Sequence, residues 1–302
     1  MNGLHCNNAD YVSLTLDSQQ TWILGCAVNV VAHEVGAMGI FLWDLFDGAN
    51  NQVIMNITND GLLHAYVVGG GYLASSVQAL ATGTWYYIEF KARIANAGGL
   101  LEIRVNGNVW ATFSGDTQGA GGASANILRL GASEGGGAGA QIRIDDVYIL
   151  DGTGAAPNND YLGDSVVQAL LPSAPGTYTQ LATLFGAATH REAVDEAVPD
   201  EDTTYVDDSV VDVIDSFNFA NLTPVSANIN GVQVVTRAKK TDAGAASFAR
   251  FARSGGADYQ GADVALSTSY AYYREILALN PNTGLAWTLD EVNAAEFGFK
   301  VR

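Results

Sequence analysis

The residues of this 302-residue chain with the greatest capacity for chemistry are its carboxylates, and they concentrate at two places. Ile142-Arg143-Ile144-Asp145-Asp146-Val147 sets two aspartates side by side, and residues 192–208 read EAVDEAVPDEDTTYVDD. Glycoside hydrolysis by a retaining carboxylate pair needs two acids about 5 Å apart on one face, carried in jelly-roll glycanases by a Glu-x-Asp-x-(x)-Glu strand. Adjacent aspartates on a strand point to opposite faces, so Asp145 and Asp146 do not form that pair. The acidic run offers oxygens to a hard cation, but no Asp-x-Asp-x-Asp-Gly spacing arranges the six to eight ligands calcium takes. It reads as a hydrated, partly extended loop, or as a charged surface for a basic neighbour. Calcium is the one cofactor for which the residues leave room; no other cofactor and no metal centre is expected.

Histidine adds no catalytic motif. His5, His33, His64 and His190 are scattered, with neither a His-Glu-x-x-His pair nor a nucleophile elbow, and all four are expected to be structural. The glycine-rich stretches 119–123 and 135–140 lack the Lys-Ser/Thr and the following helix of a phosphate-binding loop. Cys6 and Cys26 fall in strand-like segments and are expected to be buried free thiols rather than a disulfide framework. No catalytic residue is assigned, and the chain is not expected to be an enzyme. The remaining candidates are aromatic. Trp43, Tyr66, Tyr72 and Trp110 are the rings that could serve as a sugar platform, which needs an exposed face beside amide and carboxylate groups; each is equally placed to be core.

The elements that must position these residues follow from periodicity. In Trp85-Tyr86-Tyr87-Ile88-Glu89-Phe90-Lys91-Ala92-Arg93, Tyr86, Ile88 and Phe90 share one parity and Trp85, Tyr87 and Glu89 the other, the period of a half-buried strand. Leu101, Ile103 and Val105 alternate with Glu102, Arg104 and Asn106, and Asn106-Gly107 is a hairpin turn leading to Val109-Trp110-Ala111-Thr112-Phe113. Tyr86, Ile88 and Phe90 are thus expected in a core, with Trp85 at its rim. Further short apolar segments between glycine turns begin at Tyr11, Trp22, Ile40, Val53, Leu62, Ile127 and Ile142. Many short strands without a helical period mean a sandwich or jelly roll. Of 34 glycines only 10 follow Gly154, which marks a change of character near residues 151–159. We therefore divide the chain into a jelly roll over 1–152, a linker over 153–163, and a second β-rich domain over 164–302. In the latter, strands are expected at 165–171, 229–238 and 246–253, and Thr288-Leu289-Asp290-Glu291 forms a capping box opening a short helix that runs through Phe297 and closes at Gly298. The fold class expected is all-β: two β-sandwich (jelly-roll) domains and a short helix near the C-terminus.

Thirty-two acids against 14 bases give a net charge of −18, which repels phosphate backbones and anionic lipid. No window approaches the roughly 18 apolar residues of a membrane span, and the first residues lack the order of a signal peptide. Nucleic-acid partners and membrane insertion are not expected, and synthesis and assembly are expected in a cytoplasm.

These motifs carry a resemblance. Gly83-Thr84-Trp85-Tyr86-Tyr87-Ile88-Glu89, the Glu102 to Gly107 hairpin and Ile144-Asp145-Asp146-Val147-Tyr148-Ile149 resemble the concanavalin A-like, laminin G-type jelly roll, over about residues 1–152. Asp202-Thr203-Thr204-Tyr205-Val206, Ile229-Asn230-Gly231-Val232-Gln233-Val234, Arg253-Ser254-Gly255-Gly256 and Ala286-Trp287-Thr288-Leu289-Asp290-Glu291-Val292-Asn293-Ala294 are similar to a module in structural proteins of tailed bacteriophages. The chain begins almost at a strand, so the first strands of the jelly roll are expected to be missing or supplied by a neighbour. The resemblance implies a virion structural protein assembled in the host cytoplasm: a capsid decoration, fibre or tail accessory subunit whose partners are other virion proteins and copies of itself. The alternative is a carbohydrate-binding adhesin for cell-surface glycans; a glycan-cleaving enzyme ranks third.

Overall fold

A computed structural model describes residues 4–7, 10–33, 39–133, 139–223 and 228–302. The chain divides into two compact units, Met1–Val167 and Gln168–Arg302.

In the first unit the strands are β1 (Leu4–Asn7), β2 (Tyr11–Gln19), β3 (Thr21–Ala32), β4 (Ile40–Asp47), β5 (Asn50–Ile57), β6 (Leu62–Val67), β7 (Tyr72–Ala79), β8 (Trp85–Arg93), β9 (Gly99–Val105), β10 (Asn108–Gly115), β11 (Ala125–Ser133) and β12 (Gln141–Asp151). They form two six-stranded antiparallel sheets, β1-β12-β3-β8-β9-β10 and β2-β11-β4-β5-β6-β7. Strands distant in sequence, β12 beside β3 and β11 beside β4, interleave the two sheets as a jelly roll does. Alternation explains the layer between them. Leu101, Ile103 and Val105 of β9 are buried while Glu102 and Arg104 are not, and Ile88 and Phe90 of β8 meet Trp43, Leu45 and Met55 of the opposite sheet in one core. The 6.0 Å stack of Trp43 on Phe90 bridges the two layers. Tyr86 is only partly buried and packs against this core, its hydroxyl accepting from the Ala81 amide. Cys6 and Cys26 are both buried free thiols, and burial raises both above the usual thiol range.

The outward face of β8 departs from simple alternation. Tyr87 is buried, and Glu89 is 1% exposed. Glu89 Oε1 accepts from the Tyr148 hydroxyl at 2.6 Å and from the Gly163 amide at 2.9 Å. Lys91 pairs with Asp160 at 3.0 Å, Arg104 lies 3.9 Å from the centre of the Tyr161 ring, and the Val167 amide donates to Asp146 Oδ1. Residues 160–167 therefore form a strap on this sheet, although the stretch 153–163 reads from sequence as a linker.

The second unit contains β13 (Pro172–Thr179), β14 (Thr183–Phe185), β15 (Tyr205–Asp207), β16 (Ile214–Phe219), β17 (Val232–Ala238), β18 (Ser247–Ser254), β19 (Ala257–Ala265), β20 (Ala271–Leu277), the helix α1 (Leu289–Ala294) and β21 (Glu296–Val301). Its main sheet has the order β13-β16-β21-β18-β19, and β14-β15 and β17-β20 form two-stranded sheets. The core joins Ala252, Leu277, Trp287, Val292, Ala295 and Phe297, with the Trp287 indole donating to the Leu277 carbonyl at 3.0 Å. The all-β class, the sandwich architecture and the single short helix among the described residues are as the sequence led us to expect. The capping box at Thr288 and Glu291 is formed in both directions.

Two boundaries differ. No strand occupies residues 165–171; the chain instead enters the sheet at Pro172. Pro172 and Pro175 argue against a strand in sequence, but β13 is an edge strand, where missing amide donors are tolerated. The helix ends at Ala294, and Phe297 and Gly298 lie in β21. A β-carbon at Gly298 would stand 1.9 Å from the Asp215 carbonyl oxygen, so this glycine serves close strand approach rather than a helix cap.

Candidate functional site

Register partners in an antiparallel sheet project to the same side, so a row of partners is a row of side chains on one face. One such row crosses every strand of the second sheet: Ser13, Arg129, Asp44, Ile54, Tyr66 and Tyr72. It lies on the outer face, because Trp43, Leu45, Val53, Met55, Ala65 and Val67 occupy the inner one. Five intervals of about 4.8 Å make the row roughly 24 Å long.

At the β7 end Tyr72 is 48% exposed. The His64 ring stacks on it with centroids 4.0 Å apart and planes at 15°, and Tyr66 meets it edge-on at 5.5 Å. Phe41 meets Tyr66 edge-on in turn at 6.2 Å. His64 Nδ1 shares a 2.8 Å hydrogen bond with Ser75 Oγ. Burial holds the His64 imidazole below its usual range against the opposing pull of the Asp60 carboxylate, which keeps it neutral at pH 7. Burial, reinforced by Tyr72 and Asp44, pushes the Tyr66 phenol far up, so it remains a hydroxyl. This corner offers a half-exposed ring beside uncharged donors and acceptors, the chemistry by which a pocket stacks on and hydrogen-bonds a polar ring.

At the opposite end the Arg129 guanidinium lies over the rings of Tyr11 and Phe46, at 4.9 and 4.3 Å. Between the ends Asp44 and Ile54 are buried, and Asp44 accepts a hydrogen bond from the Asn51 side-chain amide.

Of the four aromatic candidates read from sequence, the structure brings Tyr66 and Tyr72 together. Trp43 lies in the interlayer core with no face open to a ligand, because its strand parity turns it inward onto Phe90. Trp110 belongs to the other sheet, where it meets Tyr86 edge-on at 6.4 Å beside the β-bulge between Val109 and Ala111. Sequence reasoning missed His64, Ser75, Tyr11 and Arg129. The parity of β6 carried a signal for the first: Leu63, Ala65 and Val67 point inward, which sends His64 and Tyr66 out.

Elsewhere the titratable clusters serve the framework. Asp215 accepts from the Gln180 and Leu181 amides and binds His190 Nδ1 at 2.5 Å, so its carboxylate fixes residues 180–190 on the sheet. The acidic run is tied down within its own unit. Glu201 pairs with Arg237, Asp202 pairs with Lys239 at 2.7 Å and accepts from the Tyr270 hydroxyl at 3.0 Å, and the Thr204 hydroxyl bonds Glu196 and Asp200. The run stays hydrated and is also paired: Arg237 of β17, Lys239 just after that strand and Tyr270 just before β20 are basic and phenolic partners that lie over 30 residues away in sequence. Among the described residues no group of three or more His, Cys, Asp or Glu is arranged to hold a metal ion. The glycine-rich stretch 135–140 lies mostly outside the described residues. Among those described, no helix is long and apolar enough to cross a membrane.

No protein-family model and no curated protein matches this sequence. Solved structures do resemble it. A SAP-like pentraxin from Limulus polyphemus is 14% identical, with 48% of this chain and 74% of that chain covered at a TM-score of 0.35. A galectin from Caenorhabditis elegans is 16% identical, with 50% and 96% covered at 0.34. An endo-beta-1,4-glucuronan lyase from Trichoderma reesei is 12% identical, with 48% and 78% covered at 0.34. These are jelly-roll, lectin-type folds, and likeness at this level carries no argument about function. The expectation that the chain is not an enzyme does not stand, because this fold does not decide it. Polysaccharide lyases stand beside non-enzymes on the same architecture, and the missing Glu-x-Asp-x-(x)-Glu strand bears only on hydrolysis by paired carboxylates.

Proposed function

We propose that the first unit binds carbohydrate through the outer face of its β2-β11-β4-β5-β6-β7 sheet. The observation that carries this reading is the half-exposed Tyr72 ring, backed by His64 and flanked by Tyr66 and Ser75. A pyranose stacks its C–H face on such a ring, and neutral imidazole and hydroxyl groups meet its hydroxyls. The test is a glycan array probed with the whole chain, followed by titration of the ligands retained. Tyr72→Ala is expected to weaken binding at least about tenfold with the fold unchanged, the loss of one ring contact and its buried area. Binding that survives Tyr72→Ala undiminished would place the glycan elsewhere, and a blank array would end the reading.

A second reading is compatible with the first: the chain is a structural subunit of a tailed-phage virion, held by contacts with other virion proteins and its own copies. Val198, Val211, Ile276 and Leu285 of the second unit, each more than 60% exposed, are apolar side chains that contact with another chain would cover, which supports the contact part of this reading alone. Electron microscopy of the assembled particle with this chain labelled tests it. Absence of the chain from purified particles would overturn it.

A further inference from the structure

We propose that the carbohydrate taken by this face is acidic, and that Arg129 reads its carboxylate. The inference rests on the reading of the outer face as a glycan site and names the ligand class. Acids outnumber bases 32 to 14 in this chain, and among the described residues nine of the 14 Lys and Arg side chains sit in ion pairs. Arg129 is not among them. It makes no ion pair and no hydrogen bond with the described residues, although its register partner on β4 is Asp44, whose carboxylate accepts from Asn51 instead. The rings of Tyr11 and Phe46 hold the guanidinium at 4.9 and 4.3 Å, and it remains partly exposed. A guanidinium held on rings keeps its donors and its charge for a planar anion, which a carboxylate matches with two parallel hydrogen bonds.

The surroundings suit a sugar that bears such a group. Tyr11, Ser13 and Thr15 are the outward residues of β2, paired with Gly131, Arg129 and Ile127 of β11, and all three are exposed. They set one aromatic ring and two hydroxyls around the cation. Gly131 brings β2 this close: at φ 145° its missing β-carbon would fall 2.5 Å from the Asp10 carbonyl oxygen and 2.8 Å from Tyr11 Cα. The strand carrying the Tyr11 ring can therefore lie beside Arg129 only because position 131 has no side chain.

The experiment is calorimetric titration of the whole chain with matched saccharides long enough to reach from Arg129 to Tyr72, four intervals of about 4.8 Å: hexagalacturonate against galactohexaose. Acidic members are expected to bind at least about tenfold more tightly than neutral ones, the worth of one charge-assisted bidentate contact. Arg129→Gln should abolish that preference, and Arg129→Lys should restore it only in part. Added salt should weaken the acidic ligands alone in the unaltered protein, a readout that does not depend on any variant folding. Neutral ligands binding as well as acidic ones, with no salt dependence, would overturn the role of Arg129 and leave the glycan site standing. Failure of every saccharide to bind would overturn both.

Discussion

The Tyr148 hydroxyl of β12 donates to Glu89 Oε1 of β8 at 2.6 Å across the intervening strand β3, and the Gly163 amide donates to the same oxygen at 2.9 Å. A carboxylate 1% exposed to solvent is tolerable only with such donors. One side chain that looks solvent-facing in sequence thus fastens the strap 160–167. Gly25 makes the arrangement feasible, since a β-carbon there would lie 2.2 Å from the Tyr148 ring.

Tyr148→Phe is therefore expected to lower the stability of the first unit by about 1–3 kcal/mol, the cost of depriving a buried acceptor of its donor. Denaturant unfolding measures the loss. Hydrogen exchange should show faster opening of residues 160–167 than of the core strands. Unchanged exchange in the strap would refute its dependence on Glu89.

His64 predicts a pH dependence. Burial depresses its pKa in the folded state, with Asp60 opposing. A histidine so depressed contributes stability that is fully present above its unfolded pKa of about 6.5 and is lost as pH falls through the lower folded value. Thermal unfolding of the native chain and of His64→Gln, compared at neutral pH and near pH 5, should show the larger acid loss in the native chain. Equal losses would assign the acid sensitivity to other groups.

Arg250 is a buried cation whose Nη2 donates to Glu275 Oε1 at 2.7 Å, while its Nε and Nη1 have no partner among the described atoms. Replacing such a group by an apolar side chain of similar length is often neutral or stabilising, whereas removing its partner strands the charge. Arg250→Met should leave the second unit as stable as before or more so. Glu275→Ala should cost about 1–3 kcal/mol, discounted from the buried-pair value because Glu275 keeps contact with water. Chemical denaturation of both variants decides the order, and the reverse ranking would count against this account.

Gly298→Ala is expected to be among the most damaging single-methyl additions in the second unit. The new carbon would enter the Asp215 carbonyl at 1.9 Å, in the strand pair that also positions the Asp215 and His190 contact. Overpacking of this kind costs about 1–3 kcal/mol or more. A soluble variant with an unchanged melting temperature would show that β16 and β21 can part without penalty.

Parity was legible wherever one face of a strand meets the core and the other meets water. Leu101, Ile103 and Val105 declared β9, and Thr288 with Glu291 declared the start of α1, because both signals are local. Legibility failed where distant chain covers or completes an element. Glu89 looks like a solvent residue until the strap lies on it, Pro172 and Pro175 forbid a strand until β13 proves to be an edge, and Gly298 looks like a helix stop until Asp215 is placed against it.

The candidate face divides the same way. Sequence alone determined that the chain is all-β, that its strands alternate, and that Tyr66 and Tyr72 are aromatic rings close together in the chain. Only the tertiary structure decided that Trp43 turns inward, that His64 backs Tyr72, and that Arg129 shares a row with both tyrosines across strands more than 50 residues apart. The physical reason is that alternation fixes which side of its own strand a residue takes, whereas strand order and register, set by the interleaved pairing of β11 with β4, determine which residues become neighbours.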